Sequence, residues 1–528
     1  MIHEARFTAD KIDHLLRLLQ ARVYSAAWDL PPFRVSLYPA GHDAAAAEAE
    51  QTESGGELVH TDDYWGAWNR DFVLTCRFAL PADWRGRGPL ALWLPLGEAG
   101  DFSHPEALAR VDGRRFGACD RNHQELELAA EWGDGAAHLL CLHGWTGLGG
   151  QIFAQPGKLQ MRRCQVVEID PRLRAFEAQA RVALSSARKL AEDVPAHARL
   201  LNALDAAFRV LDLREGEDAA FRASVAPASE VLKEGLRAAG APLDVDLFAT
   251  GHAHIDVAWL WPLAVTRQKA ARTFTNAVNL LRQYPAFHFS QSQPQLYEFV
   301  RHDHPDLFAE IQKRVAEGRW EVLGGMWVEA DCNLSGAEAQ ARQLLLGRRY
   351  FARYFGPAAE SPVLWLPDAF GFSASLPQLM RLAGLEYFFT IKLSWNQTNH
   401  LPYDSFWWQG LDGSRVLAHF STTPAVGSDW RAATYNAEVE PGQVLDTWRG
   451  FQQKELHPNL LMAYGFGDGG GGPTREMIEN LNVLAETPGM PRVHSSSVVD
   501  FYRRLEAQDG ARLPVWQGGL YLELHRGT

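Results

Sequence analysis

"GHAHIDVAWLWP", residues 251–262, sets His252, His254 and Asp256 at every second position of an otherwise apolar run. In an extended strand, residues i, i+2 and i+4 share a face. The pattern therefore sends three ionisable groups into one small volume, which is costly unless something there binds them. A lone histidine in an apolar strand is more often a hydrogen-bonded core residue. Three groups in register favour a site. Imidazole nitrogen and carboxylate oxygen form a donor pair that suits Zn2+ and leaves room for a substrate.

From residue 245 onward the sequence repeats strand then helix. "VDLFAT" precedes "TRQKAARTFTNAVNLLRQYP", and "FHFSQS" precedes "PQLYEFV" and "DLFAEIQKRVAEG". "WEVLGGMWV" precedes "AEAQARQLLLGRRYFARYF", and "PVLWLP" precedes "SLPQLMRLAG"; "YFFTIKL", "RVLAHFS" and "LLMAYGF" read as further buried strands. Repeated β-α units with apolar strands indicate a parallel sheet covered by helices, and this many units favour a barrel. Asp256, Asp331, Asp368 and Asp468 each follow a predicted strand, on the rim where barrel loops surround one mouth.

Taken singly, each of these acids has an ordinary explanation. Asp368, in "PVLWLPDAFGFSASLPQL", suits a helix cap as well as a pocket. "GGMWVEADCNLS" offers Glu329 and Asp331, which also fit a polar loop. Asp468 lies in "GFGDGGGG", a glycine-rich turn without the Lys-Ser/Thr ending of a phosphate-binding loop.

Upstream, residues 55–165 carry short alternating or apolar runs between Gly, Pro and Asp turns, the pattern of a sandwich. Residues 171–239 switch to a helical period. The expected fold class is α/β: a (β/α) barrel catalytic domain, with seven strands expected, over 245–528. It follows a β-sandwich with a leading helix over 1–169 and a helical linker region over 170–244.

Composition narrows the function. A chain of 528 residues exceeds one core, and its formal charge of −13 offers no basic stripe for nucleic acid. No apolar run is long enough to span a membrane, and the charged amphipathic N-terminus lacks the core of a signal peptide. Five scattered Cys without a CxxC read as reduced thiols, which points to the cytoplasm. Eighteen Trp suit sugar rings, though core packing accounts for most Trp in most proteins.

Six motifs then carry a resemblance: "GHAHIDVAWLWP", "GGMWVEADCNLSGAEA", "WLPDAFGF", "KLSWNQTNHLPYDSFWWQGLDGS", "AYGFGDGGGGPT" and "GGLYLELHRGT". In this order they resemble the catalytic part of the class II α-mannosidases, glycoside hydrolase family thirty-eight, in its bacterial and cytosolic branch. "VDGRRFGACDRNHQELEL" more weakly resembles that branch's accessory β domain. The resemblance implies a retaining α-mannosidase with one Zn2+ per chain, acting on terminal α-linked mannose of oligosaccharides. It implies His254, Asp256, Asp368 and His525 as zinc ligands, Asp368 as nucleophile and Asp468 as acid/base. It further implies Trp259 and Phe370 as aromatic walls under the sugar, Asp331 as a carboxylate on its hydroxyls, and His252 as a residue beside the ligands. The ion would chelate the sugar's 2- and 3-hydroxyls. Relatives leave a homo-oligomer open.

The chain stops three residues after His525, whereas family members continue through further domains. The expectation is a C-terminally shortened chain with weakened zinc affinity and weak or absent turnover. Two other readings stand beside the enzyme: an inactive remnant or carbohydrate-binding protein, and a metal-dependent amidohydrolase opening on HxH, with His288 and His419 on later strands.

Overall fold

Alternation organises the N-terminal third. In the strand Arg70–Phe78 the side chains of Phe72, Leu74, Cys76 and Phe78 face one apolar cluster, joined by Leu140 and Leu142 of His138–Trp145. The computed structural model describes residues 7–41, 56–97, 103–149, 159–214, 216–427 and 432–523. In it, a six-stranded antiparallel sheet runs in the order Glu57–Val59, Phe33–Pro39, Arg70–Phe78, His138–Trp145, Glu106–Val111, Arg114–Cys119. A four-stranded antiparallel sheet of Tyr24–Asp29, Gln165–Ile169, Leu90–Trp93 and Glu125–Leu128 turns Leu92, Leu126 and Val166 onto the same cluster. Two sheets closing over one core form a sandwich. Its strands Tyr24–Asp29 and Phe33–Pro39 precede the stretch whose pattern announces β structure. The first of them never becomes fully buried, so its sequence carries little contrast.

Asp170 ends the sandwich and starts the helices. Its carboxylate accepts the amides of Arg172 and Leu173, each at 3.0 Å, and Pro171 occupies the first turn of Pro171–Lys189. That helix, Pro195–Phe208, Asp218–Ala239 and the leading helix Thr8–Gln20 bury Leu16, Leu173, Leu204 and Leu232 in one cluster with Leu247, Ala249 and Met462. The helical segment thus shares its core with the strands that follow.

Strands in parallel pairings succeed one another at Leu243–Gly251, Phe289–Gln291, Trp320–Val322, Val363–Trp365, Tyr387–Thr390, Arg415–Phe420, Asn459–Tyr464 and Pro491–Ser495. They lie in two sheets. The first has Leu243–Gly251 between Asn459–Tyr464 and Phe289–Gln291, with Trp320–Val322 at its edge; Pro491–Ser495 also pairs with Leu243–Gly251. The second orders Val363–Trp365, Tyr387–Thr390 and Arg415–Phe420, then the antiparallel Ser405–Gln409 and finally Val515–Gln517. The Gly324 amide donates to the Val363 carbonyl at 3.1 Å and joins the two. Among the described residues no ladder links Arg415–Phe420 to Asn459–Tyr464. The arrangement is barrel-type α/β, preceded by β-rich and helical regions. One predicted strand is shortened: "WEVLGGMWV" pairs only at Trp320–Val322, because Gly324 and Gly325 take φ of +96° and +70° and turn the chain away. Among the described residues, no helix is long and apolar enough to cross a membrane.

The sandwich docks on the helix Leu263–Gln283 through its edge strand. Asn276 Oδ1 accepts the Ala118 amide at 3.2 Å, and Asn279 Nδ2 donates to the Phe116 carbonyl at 2.6 Å. The helix thereby satisfies groups that an open sheet edge would leave bare. Beside this seam Glu106 receives Lys269 Nζ at 2.5 Å and the Arg272 guanidinium, all three side chains buried. Lys269 Nζ also lies 4.4 Å from the Trp261 ring centroid and 5.2 Å from that of Trp145. Removing the carboxylate would leave two buried cations without their counter-charge. Glu106→Ala is expected to lose about 3–5 kcal/mol of stability in urea unfolding; a loss under about 1 kcal/mol would refute the triad's role.

Candidate active site

The strand Leu243–Gly251 ends one residue before the histidines, so the two-residue repeat does not carry all three groups to one point. His252 is buried and turned aside. Its Nδ1–H donates to the Ser290 carbonyl at 2.9 Å, while its Nε2 accepts the Trp365 indole N–H at 3.2 Å. Burial first, with the charge of His254 adding to it, pushes its pKa down to about 3. His252 is neutral, with both nitrogens engaged. His254 and Asp256 do meet, Nε2 to Oδ1 at 3.4 Å.

Loops from other strands complete the cluster. Asp368 follows Val363–Trp365, and its Oδ2 lies 3.3 Å from His254 Nε2. The helix after it begins at Leu376, too far along the chain for Asp368 to cap. Glu329, carried in by the glycine turn, sets Oε2 3.3 Å from His254 Nδ1, and its Oε1 accepts the Ser292 hydroxyl at 2.9 Å. Lys392, just past Tyr387–Thr390, brings Nζ within 2.6 Å of Asp368 Oδ1, an ion-pair approach without hydrogen-bond alignment. That ammonium also lies 3.6 Å from the Trp395 ring centroid and 5.3 Å from those of Phe370 and Tyr435. Asp468 follows Asn459–Tyr464 with a φ of +53°; its Oδ1 accepts the Tyr435 hydroxyl at 2.9 Å and its Oδ2 the Asn436 amide at 3.4 Å.

These surroundings push two carboxyls of the same kind apart. Burial alone would raise Asp368, but His254 and Lys392 together bring it below the usual carboxylate value. Burial raises Asp468, and the charges of Asp256 and Asp368 add to that against the opposing His254 and Tyr435. His254 is raised well above an ordinary histidine: burial opposes the proton, but Glu329, then Asp256 and Asp368, hold it.

Does a metal ion fit? One donor atom each from His254, Asp256, Asp368 and Asp468 lies within 4.8 Å of all the others. A tetrahedron with bonds of about 2.1 Å has edges of about 3.4 Å. The separations of 3.4 and 3.3 Å from His254 Nε2 to Asp256 and Asp368 match such an edge. His254 Nδ1, Glu329 Oε2 and Asp368 Oδ1 are buried without a hydrogen bond. Asp256, Asp368 and Glu329, with Asp468 beside them, face one lysine and one imidazole, an acid-rich set whose charge a divalent cation would balance. The residues can chelate such an ion.

The remaining predicted residues lie around this cluster or outside it. Trp259 is 53% exposed and meets Trp261 edge-on, ring centroids 5.7 Å apart. Phe370 lines the Lys392 side. Asp331 is exposed; its carboxylate accepts the Asn333 and Leu334 amides at 2.7 and 2.8 Å, within its own loop. His525 lies outside the described residues. Sequence reasoning passed over Lys392, Tyr435 and Asn436. For Lys392 the available signal was a cation directly after an apolar strand; for the other two, in an irregular loop, there was none.

Residues 244–519 match the family profile of the glycosyl hydrolases family 38 N-terminal domain. Over 282 residues the chain is 43% identical to alpha-mannosidase 2C1 of Homo sapiens, covering 53% of this chain and 26% of that one. It is 40% identical over 282 residues to alpha-mannosidase G of Dictyostelium discoideum, covering 53% and 25%. The chain thus spans about a quarter of the length of these relatives. Among solved structures it is similar to an alpha-mannosidase from Enterococcus faecalis V583, at 18% identity and a TM-score of 0.43, covering 52% of this chain and 31% of that one.

The cluster itself is testable with Co2+ as a spectroscopic probe. The wild-type chain, stripped with a chelator, is expected to take up the ion with visible absorption bands, and His254→Ala to lose at least about tenfold in affinity. Equal uptake by both chains would place any metal elsewhere.

Proposed function

The chain belongs to glycosyl hydrolases family 38, and from that premise we propose that it is a retaining α-mannosidase. The observation that carries this is the pair Asp368 and Asp468, one pushed below and the other above the ordinary carboxylate value, with oxygens within 4.8 Å of each other. Retaining glycosidases hold their two carboxyls about 5–5.5 Å apart, whereas inverting ones leave about 6.5–9.5 Å for a water. The spacing supports the retaining course.

In this reading Asp368, kept ionised by Lys392, attacks the anomeric carbon of a terminal α-mannose. Asp468 gives its proton to the departing oxygen, and the C1–O bond breaks as a mannosyl ester forms on Asp368. Water then enters, Asp468 takes its proton, and the ester is cleaved with the anomeric configuration kept. The Tyr435 hydroxyl and Asn436 amide orient the Asp468 carboxyl. Trp259 and Phe370 offer apolar faces to the sugar, and Asp331 is the assigned partner of its hydroxyls. His254, Asp256 and Asp368 would hold a Zn2+ ion, which would supply a Lewis acid for the sugar's neighbouring hydroxyls.

His525 is proposed as the last ligand. In its support, Leu520–Tyr521 pairs with Phe372 and Gly371, just beyond Asp368, and the Glu523 carboxylate accepts the amides of Thr398 and Asn399, each at 2.9 Å. From Leu243–Gly251 to Asn459–Tyr464, and leaving aside the antiparallel Ser405–Gln409, seven strands follow one another in chain order, which supports a closed seven-stranded barrel. The domain limits proposed are 1–169, 170–244 and 245–528. Free Cys76, Cys119, Cys141, Cys164 and Cys332 support a cytoplasmic protein of the bacterial and cytosolic branch. The engaged nitrogens of His252 speak against an amidohydrolase, which would use both histidines of HxH as ligands.

With p-nitrophenyl α-mannoside, wild-type turnover is expected to fall at least about 10^3-fold in Asp368→Asn. A fluorinated mannosyl fluoride is expected to label Asp368 in a digest read by mass spectrometry. Sugar binding without turnover in the wild-type chain would favour the carbohydrate-binding reading instead.

A further inference from the structure

The motif "FGACDRNHQ", residues 116–124, belongs to the sandwich and lies outside residues 244–519 that match the family, yet its turn reaches the rim of the site. Asp120 organises it. Its Oδ1 accepts the amides of Asn122 and His123 at 2.7 and 2.9 Å and faces His123 Nδ1 at 3.0 Å. From this turn two side chains cross to the loop that carries Asp468. Asn122 Nδ2 donates to the Gly470 carbonyl at 3.1 Å, and His123 Nε2 lies 3.0 Å from the Pro473 carbonyl. A carboxylate on one ring nitrogen and a carbonyl on the other leave His123 only donor roles, so it is doubly protonated, with Asp120 as its counter-charge. Between the two grips Gly471 lies so close that a Cβ would sit 2.4 Å from Asp120 Oδ2 and 2.7 Å from His123 Nδ1. On the loop's other flank the Lys269 side chain, held by Glu106 of the sandwich, packs against Gly469.

The loop needs such a hold. Asp468 sits at a φ of +53°, a left-handed conformation uncommon outside glycine and, among the other residues, most accessible to Asp, Asn and His. Tyr435 and Asn436 hold Asp468 from the barrel side, where Asn436 Oδ1 also accepts the Gly467 amide, while the glycines at 469–472 bring no side chains of their own to fix the far half of the loop. We propose that Asn122 and His123 are positioning residues for Asp468: the accessory β domain buttresses the acid/base loop and thereby sets the aim of its carboxyl. They touch no reacting atom. The inference rests on the reading of Asp468 as proton donor.

The test compares Asn122→Ala, Asn122→Ala/His123→Ala and Asp468→Asn with the wild-type chain by two measurements. Hydrogen exchange over peptides covering 465–473 is expected to quicken by about tenfold or more in the Asn122 and double variants and to stay unchanged in Asp468→Asn. In kcat/KM, the double variant is expected to lose about tenfold or more on phenyl α-mannoside, whose leaving group needs protonation. On 2,4-dinitrophenyl α-mannoside, whose leaving group does not, it should stay within about twofold. Asp468→Asn should show the same selectivity more strongly. If Asp468→Asn shows no such selectivity, the proton-donor reading fails. Unchanged exchange in the Asn122 and double variants overturns the buttress. Quickened exchange without leaving-group selectivity, where Asp468→Asn is selective, reduces the contact to a structural one and overturns the positioning role. Should the double variant unfold, the Asn122→Ala comparison, which removes one neutral hydrogen bond, decides by both readouts.

Discussion

Crowded negative charge is the constraint on which this site depends. Asp256, Asp368 and Glu329 each bring an oxygen within 3.4 Å of the ring nitrogens of buried His254. Like charges about 4 Å apart near a protein surface repel by about 4 kcal/mol per pair, and no arrangement of neutral hydrogen bonds offsets several such pairs. The fold tolerates the cluster because cations answer it: Lys392 beside Asp368, a proton on His254, or a divalent ion that displaces that proton. Lys392 is in turn kept in place by the faces of Phe370, Trp395 and Tyr435, which attract an ammonium without neutralising it.

The architecture follows from bringing those charges together. One sheet delivers His254, Asp256 and Asp468 from the ends of Leu243–Gly251 and Asn459–Tyr464; the other delivers Asp368 and Lys392. The site straddles the two, so its geometry is only as fixed as their relation. Where they join, Gly324 bonds to Val363, and the same turn throws Glu329 inward against His254. The sandwich adds a third support, with Glu106 buried against the helix that follows His254 and Asp256 in the chain.

What the sequence disclosed depended on contrast. His254 and Asp256 stand out because ionisable groups in an apolar run are costly, and the strand–helix alternation is legible because both periods recur. The same rule misleads at His252, where the strand ends and the two-residue period with it. It also overextends the Trp320–Val322 strand through apolar residues whose backbone two glycines bend. Lys392, Tyr435 and Asn436 are common residue types without periodic neighbours, and only three-dimensional proximity selects them. Tyr24–Asp29, nowhere fully buried, lacks the contrast that would mark it as a strand. The role proposed for His525 rests on family likeness, since nothing local in the sequence distinguishes a histidine more than 250 residues away from His254.

Family likeness alone assigned different roles to Asp368 and Asp468, and their surroundings supply a physical reason for the proposed division. Both are aspartates in glycine- and aromatic-rich loops past an apolar strand, and nothing in their own side chains differs. Lys392 and His254 stabilise the charge on one. Burial beside two other carboxylates favours the proton on the other, and the donor that meets it, Tyr435, is itself raised well above an ordinary tyrosine by burial and by Asp468. A nucleophile must be ionised when substrate arrives, and a general acid must not be. Each aspartate occupies the environment that suits its proposed task, so exchanging the two would require moving a lysine across the pocket, not changing either carboxyl.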